Sequence, residues 1–160
     1  MANPTLTPSR LKELLSYNRK TGLFKNLIHR GAKARKGTLA GVRDPLGYWR
    51  IQIDGKVYGG HRLAWFYMHG VWPEHFIDHI NGNASDNRIE NLRLASNSQN
   101  QANSKARATK SGVKGVRQVG ARYRAKCHYK HLGYFDTAEA AHAAYLAHAV
   151  TVFGEFARGG

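Results

Sequence analysis

Apolar residues in the first 70 positions recur at two different spacings. Leucines at helical spacing run through residues 7–17, where Thr7 is placed as an N-cap and Pro8 at the first helical position. Residues 62–69 have the apolar density of a buried helix and are followed by Gly70. The pattern predicts a short amphipathic helix over residues 7–17 and a buried helix over residues 62–69.

Between these two helices the spacing of apolar residues changes to period two. Residues 47–58 alternate apolar and polar side chains on both sides of Asp54-Gly55, a dipeptide that favours a tight hairpin turn. In this alternation Ile51 and Ile53 share one face. We therefore expect a β-hairpin with one apolar face.

The middle of the chain predicts a strand, a loop and a helix in that order. Residues 77–80 are compatible with a short strand, and residues 81–91 are rich in Asn, Asp and Gly, as a loop with several turns would be. Residues 94–105 are polar enough for an exposed helix. Such a compact frame can bring three side chains together.

The last 50 residues predict a small sheet followed by a helix. Short strand-like segments between residues 111 and 135 are broken at Gly112, Gly115, Gly120 and Gly133. Asp136 or Thr137 can cap the helix that follows, and its alanines allow close packing on a sheet. The candidate core residues are Val116, Leu132, Tyr134, Phe135, Tyr145, Val152 and Phe153. The fold class is therefore α+β, ending in a three-stranded antiparallel sheet with one helix.

Positive charge is concentrated in one stretch of the chain. The sequence has 25 Lys+Arg against 10 Asp+Glu, a formal charge of +15. From Asn91 to Phe135 there is no acidic residue, and the cations there are Arg93, Lys105, Arg107, Lys110, Lys114, Arg117, Arg122, Arg124, Lys126 and Lys130. This segregation predicts a nucleic-acid partner, with Arg93 among the contacts. A second basic loop, residues 29–38, is equally compatible with phosphate binding and with solvation.

Cysteine content and hydropathy narrow the class of protein. The single cysteine, Cys127, excludes an internal disulfide framework and a multi-cysteine zinc cluster. There is no apolar run of about 18 residues, and residues 1–9 lack the charged and apolar regions of a signal peptide. We expect a soluble protein of a reducing cytoplasm, without a membrane partner.

Four side chains around the predicted loop have the chemistry of a one-metal phosphodiesterase. His79 can act as a general base because an unperturbed imidazole titrates at about pH 6.5. Asp78 and Asn100 offer hard oxygen ligands that suit Mg²⁺ or Mn²⁺. Asn91 is placed to hold the loop through its side-chain amide. Such a site cuts a phosphodiester bond.

The second ligand position has alternatives. Asn97 and Asn103 each lie three residues from Asn100, so all three share a helix face and spacing does not choose among them. His61 is a further histidine that can reach the cleft, although it also fits a structural position at the start of a buried helix.

The quoted residues resemble the HNH endonucleases of the ββα-metal class, in the variant whose last His is replaced by Asn. By this resemblance Asp78-His79 are the metal ligand and the general base, Asn91 is the central structural Asn, and Asn100 is the second metal ligand. The resemblance covers about residues 10–103 and implies a free-standing homing endonuclease of phage type, acting in the cytoplasm of a bacterial host. The further motifs that carry it are His61-Arg62-Leu63-Ala64-Trp65, Gly82-Asn83 and Asp86-Asn87-Arg88.

The C-terminal part resembles a different family, the APETALA2/ethylene-response-factor DNA-binding domain. The similarity spans about residues 109–158 and rests on Gly115-Val116-Arg117, Arg122-Tyr123-Arg124-Ala125 and residues 132–141. In that family the exposed face of the sheet lies in the DNA major groove. The positions that match its contacts are Lys114, Arg117, Arg122, Tyr123 and Arg124. Tyr123 and His131 stand where the plant domains usually have Trp, so base preference does not carry over.

Together these features predict a Mg²⁺- or Mn²⁺-dependent DNA endonuclease, with one ion per site and double-stranded DNA as its partner. Its predicted domains are an HNH nuclease over 1–103, a basic linker over 104–110 and a DNA-binding domain over 111–160; a monomer is favoured. Two alternatives remain: a sequence-specific DNA-binding regulator with an inactive nuclease site, and an RNA-binding protein that uses its basic strands.

Overall fold

The computed structural model describes residues 6–104 and 112–159, and these form two compact units. One unit extends through Leu94 and the other starts at Ala95. Apart from Ser104, the predicted linker 104–110 lies outside the described residues. Within the described ranges no helix has both the length and the apolar character that crossing a membrane requires.

The first helix is shorter than the sequence pattern predicts. Helix α1 (Pro8–Leu14) begins at Thr7, whose hydroxyl accepts a hydrogen bond from the Arg10 N–H at 3.2 Å, as expected for an N-cap. The helix was expected to reach residue 17, and this is wrong. Strand β1 (Leu15–Asn18) instead pairs antiparallel with β2 (Leu23–Asn26). Strand pairing and the complete burial of Leu15 outweigh the local helical spacing.

The predicted hairpin is confirmed. A three-stranded antiparallel sheet has the order β3 (Val42–Arg43), β4 (Trp49–Ile53) and β5 (Lys56–Gly59). Asp54 and Gly55 both have positive φ, 45° and 81°, as the tight turn between β4 and β5 requires. Ile51 and Ile53 point into the core, each only 1% exposed.

The buried helix is also confirmed, and it closes the core of the first unit. Helix α2 (Gly60–His69) ends at Gly70, whose left-handed φ of 74° lets its N–H donate to the Phe66 carbonyl. Burial of α1 and α2 against the small sheets gives one apolar cluster. Its buried members are Leu6, Leu11, Leu14, Leu15, Phe24, Ala40, Ile51, Ile53, Leu63, Ala64, Phe66, Ile77 and Leu92.

Two short strands frame the Asn-rich loop. Strand β6 (Phe76–His79) matches the predicted strand, and it forms a two-stranded sheet with β7 (Leu92–Ala95). A 3-10 turn, Ile89–Asn91, leads from the loop into β7. The helix expected from residue 94 therefore starts later than predicted, because residues 92–95 pair as a strand.

Helix α3 (Asn97–Asn103) starts where a capping box can form. The Ser96 hydroxyl accepts from the Gln99 N–H at 3.2 Å, and the Gln99 side-chain oxygen accepts from the Ser96 N–H at 2.8 Å. The helix belongs to the second unit, where it packs against α4 (Ala138–Phe153) and the 3-10 turn Gly154–Phe156.

The rest of the second unit is a three-stranded antiparallel sheet with β9 in the centre. Its strands are β8 (Val116–Val119), β9 (Arg122–Cys127) and β10 (Lys130–Phe135). Gly133 was expected to break the chain between strands. It lies inside β10 instead. The pairing register shifts between His131 and Gly133, and this bulge accommodates the φ of 130° at Gly133.

Helix α4 covers one face of this sheet. Thr137, one of the two predicted caps, accepts a hydrogen bond from the Ala140 N–H at 3.1 Å. Among the predicted core residues, Val116 and Tyr145 are buried, and Leu132, Phe135 and Phe153 pack against the core. Tyr134 and Val152 are 46% and 48% exposed, so their core assignment is wrong. Tyr134 pairs with Arg124, on the other face of the sheet from buried Ala125.

Candidate active site

Strand β6 delivers two adjacent polar side chains into the interior of the first unit. Asp78 is 3% exposed and His79 is 5% exposed. Buried polar groups of this kind need partners, because an unpaired buried charge or imidazole costs free energy. The residues that bond to Asp78 and His79 therefore define the candidate site.

Asn91 ties the loop that follows His79 to the strand that returns from it. Its side-chain oxygen accepts from the Asn81 N–H at 3.0 Å, and its amide nitrogen donates to the Asp86 carbonyl at 2.8 Å. Its own carbonyl accepts from the Ile80 N–H at 2.9 Å. These bonds agree with the loop-holding position expected for Asn91.

The loop is braced further by an ion pair at its far end. Arg88 contacts Asp86 at 2.6 Å, and the Asn81 side-chain amide donates to the same carboxylate at 2.8 Å. The hydrogen bond from Arg88 is the main cause that lowers the pKa of Asp86 to about 2. Asp86 is therefore charged at neutral pH and accepts hydrogen bonds from both Arg88 and Asn81 of the loop.

The ring of His79 meets a side chain that the sequence analysis did not assign to the site. The His79 Nε2 atom lies 3.1 Å from the side-chain oxygen of Asn87, which is only 1% exposed. Since an amide oxygen can only accept, Nε2 donates and Nδ1 is the basic nitrogen of the ring. Asn87 was noted only within the motif Asp86-Asn87-Arg88, because an asparagine in an Asn-rich loop is typical of turn chemistry.

Two further rings surround His79. The centroid of His61 lies 5.4 Å from that of His79 in an edge-on arrangement, and Tyr48 lies 6.0 Å from His79 and 5.6 Å from His61. His61 thus sits beside the candidate base at the start of α2. Its Nδ1 is buried and has no hydrogen-bond partner among the described residues.

Burial makes both imidazoles weak bases. Desolvation, with help from the neighbouring His79, lowers the pKa of His61 to about 4. Desolvation also lowers the pKa of His79, although the hydrogen bond to Asn87 and the charges of Asp78 and Asp86 act in the opposite direction. Both rings are therefore neutral at pH 7, and His79 is in the state that can accept a proton.

Asp78 is paired with Arg93. The Arg93 Nε donates to Asp78 Oδ2 at 2.9 Å, and the two side chains are 12% and 4% exposed. Arg93 was predicted as a nucleic-acid contact; in the structure its guanidinium compensates a buried carboxylate. A DNA contact by Arg93 stays a prediction.

The three asparagines that compete for the second ligand position all lie on α3, in the second unit. Asn97 is exposed and its side-chain oxygen accepts from the Gln101 amide at 3.4 Å; Asn100 is half-buried, and Asn103 is 5% exposed. No group of three or more His, Cys, Asp or Glu side chains within residues 6–104 and 112–159 is arranged to hold a metal ion. One carboxylate and one carboxamide are hard oxygen donors, which suit Mg²⁺ with most of its waters retained.

The sheet of the second unit displays arginines on the face away from α4. Arg117 on β8 is directly opposite Arg124 on β9, and Tyr134 on β10 is opposite Arg124 on the other side. Arg122, on the same face, is exposed and donates to the Tyr134 carbonyl at 3.0 Å. Tyr123 differs from these, because its ring packs with the core cluster that includes Val116.

Lys114 also differs from the arginines. Its ammonium group donates to the Ser104 carbonyl at 2.7 Å and to the carbonyl of Ala102, at the C-terminal end of α3. Burial, followed by the nearby Arg158, lowers the pKa of Lys114. Lys114 thus caps α3, which is a favourable place for a cation.

A basic cavity of about 470 Å³ opens on the same unit. The cations that line it are Lys114, Arg117, Arg124 and Lys126, together with His128. Three of the predicted DNA contacts, Lys114, Arg117 and Arg124, therefore share a concave surface with other positive groups.

Comparison with known proteins identifies the segment that contains Asp78 and His79. Residues 58–102 match the family model described as HNH endonuclease. No curated protein and no solved structure matches the chain. The chain therefore contains an HNH endonuclease domain over residues 58–102, which implies nuclease activity on nucleic acids. The matched range ends before β8, so the resemblance of the second unit to the APETALA2 domain stays a prediction.

Acidification should destabilise the fold partly through His61. Because the folded-state pKa is about 4 and the unfolded value about 6.5, the unfolded state binds the proton first, and stability falls as pH drops from 7 towards 4. Between pH 7 and pH 4 the free energy of unfolding should therefore fall by up to about 3 kcal/mol less in His61→Gln than in the wild-type protein. Urea denaturation at several pH values measures it.

The control for this experiment is His75→Gln, at an exposed histidine of the same unit. It makes the same substitution at a histidine that does not contact His61 or His79, and its slope of stability against pH is the reference for His61→Gln. An unaltered slope in His61→Gln would show that His61 does not titrate at a lowered pKa.

Proposed function

We propose that the protein is a metal-dependent DNA endonuclease in which His79 is the general base. The observation that carries the proposal is a buried His79 whose Nε2 lies 3.1 Å from the side-chain oxygen of Asn87, within the segment that matches the HNH family. An imidazole that is unprotonated on a defined nitrogen can accept a proton from water at neutral pH.

In the proposed reaction Nδ1 of His79 takes one proton from a water molecule. The lone pair of the water oxygen forms a bond to phosphorus, and the bond from phosphorus to the leaving sugar oxygen breaks. Solvent supplies the proton that the leaving oxygen takes up. His79 then returns its proton to solvent, and the low pKa that burial gives it favours this release.

We assign one Mg²⁺ or Mn²⁺ ion to Asp78 and Asn100, with Asn97 and Asn103 as the alternatives to Asn100. The support is chemical, since a buried carboxylate and a carboxamide provide hard oxygen donors. When bound, such an ion offsets negative charge on the phosphate and on the leaving oxygen.

The second unit is proposed to bind double-stranded DNA through the face that carries Arg117, Arg122 and Arg124. Arginines placed directly opposite each other on neighbouring strands repel, and a phosphate between them removes that repulsion. The surrounding basic cavity supports the same partner. Tyr123 and Lys114 contribute to this surface through the packing of the sheet and of α3.

The biological role follows from the resemblance to phage-type HNH enzymes. On that basis we propose a free-standing homing endonuclease that works as a monomer in the cytoplasm of a bacterial host. A DNA-binding regulator with an inactive nuclease site is the second candidate, and one observation favours it: Arg93 occupies an oxygen of Asp78, the carboxylate that would hold the ion.

Nicking of supercoiled plasmid distinguishes these two functions. With Mg²⁺ or Mn²⁺ the wild-type protein should nick the plasmid, and EDTA should abolish the reaction. His79→Ala should lower the rate by about 10²- to 10⁴-fold because the base is removed, without weakening DNA binding. The matched control is His75→Ala, at an exposed histidine outside the site. DNA binding without nicking in any divalent metal would instead support the regulator.

The arginine face can be tested by the salt dependence of binding. Replacing Arg117 or Arg124 with Gln should weaken DNA binding, because one fewer phosphate is neutralised by the protein. The slope of log K against log salt should become shallower by about 1 for each such phosphate. Fluorescence anisotropy with a labelled duplex measures both quantities.

Lys12→Gln provides a control for the removal of one exposed charge in the first unit. A slope that falls equally in Lys12→Gln would contradict a specific role for the sheet. Preference for RNA over duplex in a competition assay would favour the RNA-binding alternative.

A further inference from the structure

Asn87 is attached to the first unit at three places besides His79. Its carbonyl accepts a hydrogen bond from the Tyr17 hydroxyl at 2.7 Å, and the Tyr17 ring packs 5.0 Å from Phe24 in the core. Burial raises the pKa of Tyr17 to about 12, so this hydroxyl remains a donor throughout the neutral range. The backbone of Asn87 is thus fixed by a core residue 70 positions away.

Two glycines make room for Asn87 on its other sides. A Cβ at Gly22 would lie 2.5 Å from the Asn87 carbonyl carbon, and a Cβ at Gly60 would lie 2.8 Å from the Asn87 side-chain nitrogen. Both separations are shorter than real carbon contacts allow. Gly22 therefore packs closely against the backbone of Asn87, and Gly60 packs closely against the end of its side-chain amide.

The partner of this fixed amide is the candidate base itself. With Asn87 1% exposed and His79 5% exposed, water does not compete for the 3.1 Å contact between Oδ1 and Nε2. A neutral imidazole has two tautomers, and a rigid acceptor at one nitrogen selects the tautomer that carries its proton there. A carboxylate at this position would favour the imidazolium, whereas an amide fixes the tautomer without adding charge.

We infer that Asn87 is the positioning residue of the site: its side-chain oxygen keeps the His79 proton on Nε2 and so presents Nδ1 to the attacking water. This inference rests on the proposed function. It separates Asn87 from Asn91, whose amide bonds the backbone of the loop and Asn81.

The tautomer can be measured directly by long-range ¹⁵N NMR on full-length protein with labelled histidines, at a pH where His79 is neutral. Wild-type His79 should be protonated on Nε2. In Asn87→Ala and in Asn87→Leu, which has a similar size but no acceptor, the proton should redistribute towards Nδ1. Asn83→Ala, at an asparagine of the same loop that bonds Ser85, should leave the tautomer unchanged.

Kinetics give the second readout. Asn87→Leu should lower kcat for nicking by about 10²-fold with little change in KM, because a misdirected base affects the chemical step more than DNA binding. Asn87→Asp keeps an oxygen acceptor at this position, so in that variant His79 should keep its proton on Nε2.

The outcomes separate the two proposals. Wild-type His79 protonated on Nδ1, or an unchanged tautomer in Asn87→Leu, would overturn the role of Asn87. If Asn87→Ala does not fold, the wild-type and Asn87→Leu spectra still decide. A wild-type protein that never nicks DNA would refute the nuclease, while the tautomer measurement would judge Asn87 independently.

Discussion

The arrangement of the first unit depends on keeping an imidazole buried at the end of β6. Burial lowers the pKa of His79, and the side-chain oxygen of Asn87 accepts from the Nε2 nitrogen that carries the proton. That acceptor needs Tyr17 from β1 and the absence of a side chain at Gly22 and Gly60. Strand β1 and the start of helix α2 therefore help to hold this ring in one orientation.

Charge is arranged differently in the two units. In the first, buried or loop carboxylates are compensated locally, Asp78 by Arg93 and Asp86 by Arg88. In the second, Arg117 and Arg124 oppose each other and the basic groups around them line a cavity. A surface on which positive charge predominates attracts a polyanion, although Arg122 of this face also contacts Asp136 at 3.2 Å. This difference supports placing the proposed base in the first unit and the proposed DNA-binding face in the second.

The sequence predicted features that depend on short-range patterns. The hairpin at Asp54-Gly55, the helix that ends at Gly70 and the cap at Thr137 were found because turn and cap chemistry is local. The two predicted helix bounds were wrong because residues 15–18 and 92–95 pair as strands, and their strand partners are not visible in the local sequence pattern. The contact of Asn87 with His79 was missed for the same reason, because the sequence of a loop with several asparagines does not show which of them points inward.

The central claim is that His79 acts as a neutral base with a lowered pKa. The most direct measurement is the pH dependence of single-turnover nicking at saturating protein and metal. Because burial lowers the pKa of His79, the rate should stay on its plateau as pH falls to about 6.5 and decline only below it. A rate that is already falling with an apparent pKa well above 6.5 would contradict a buried neutral base.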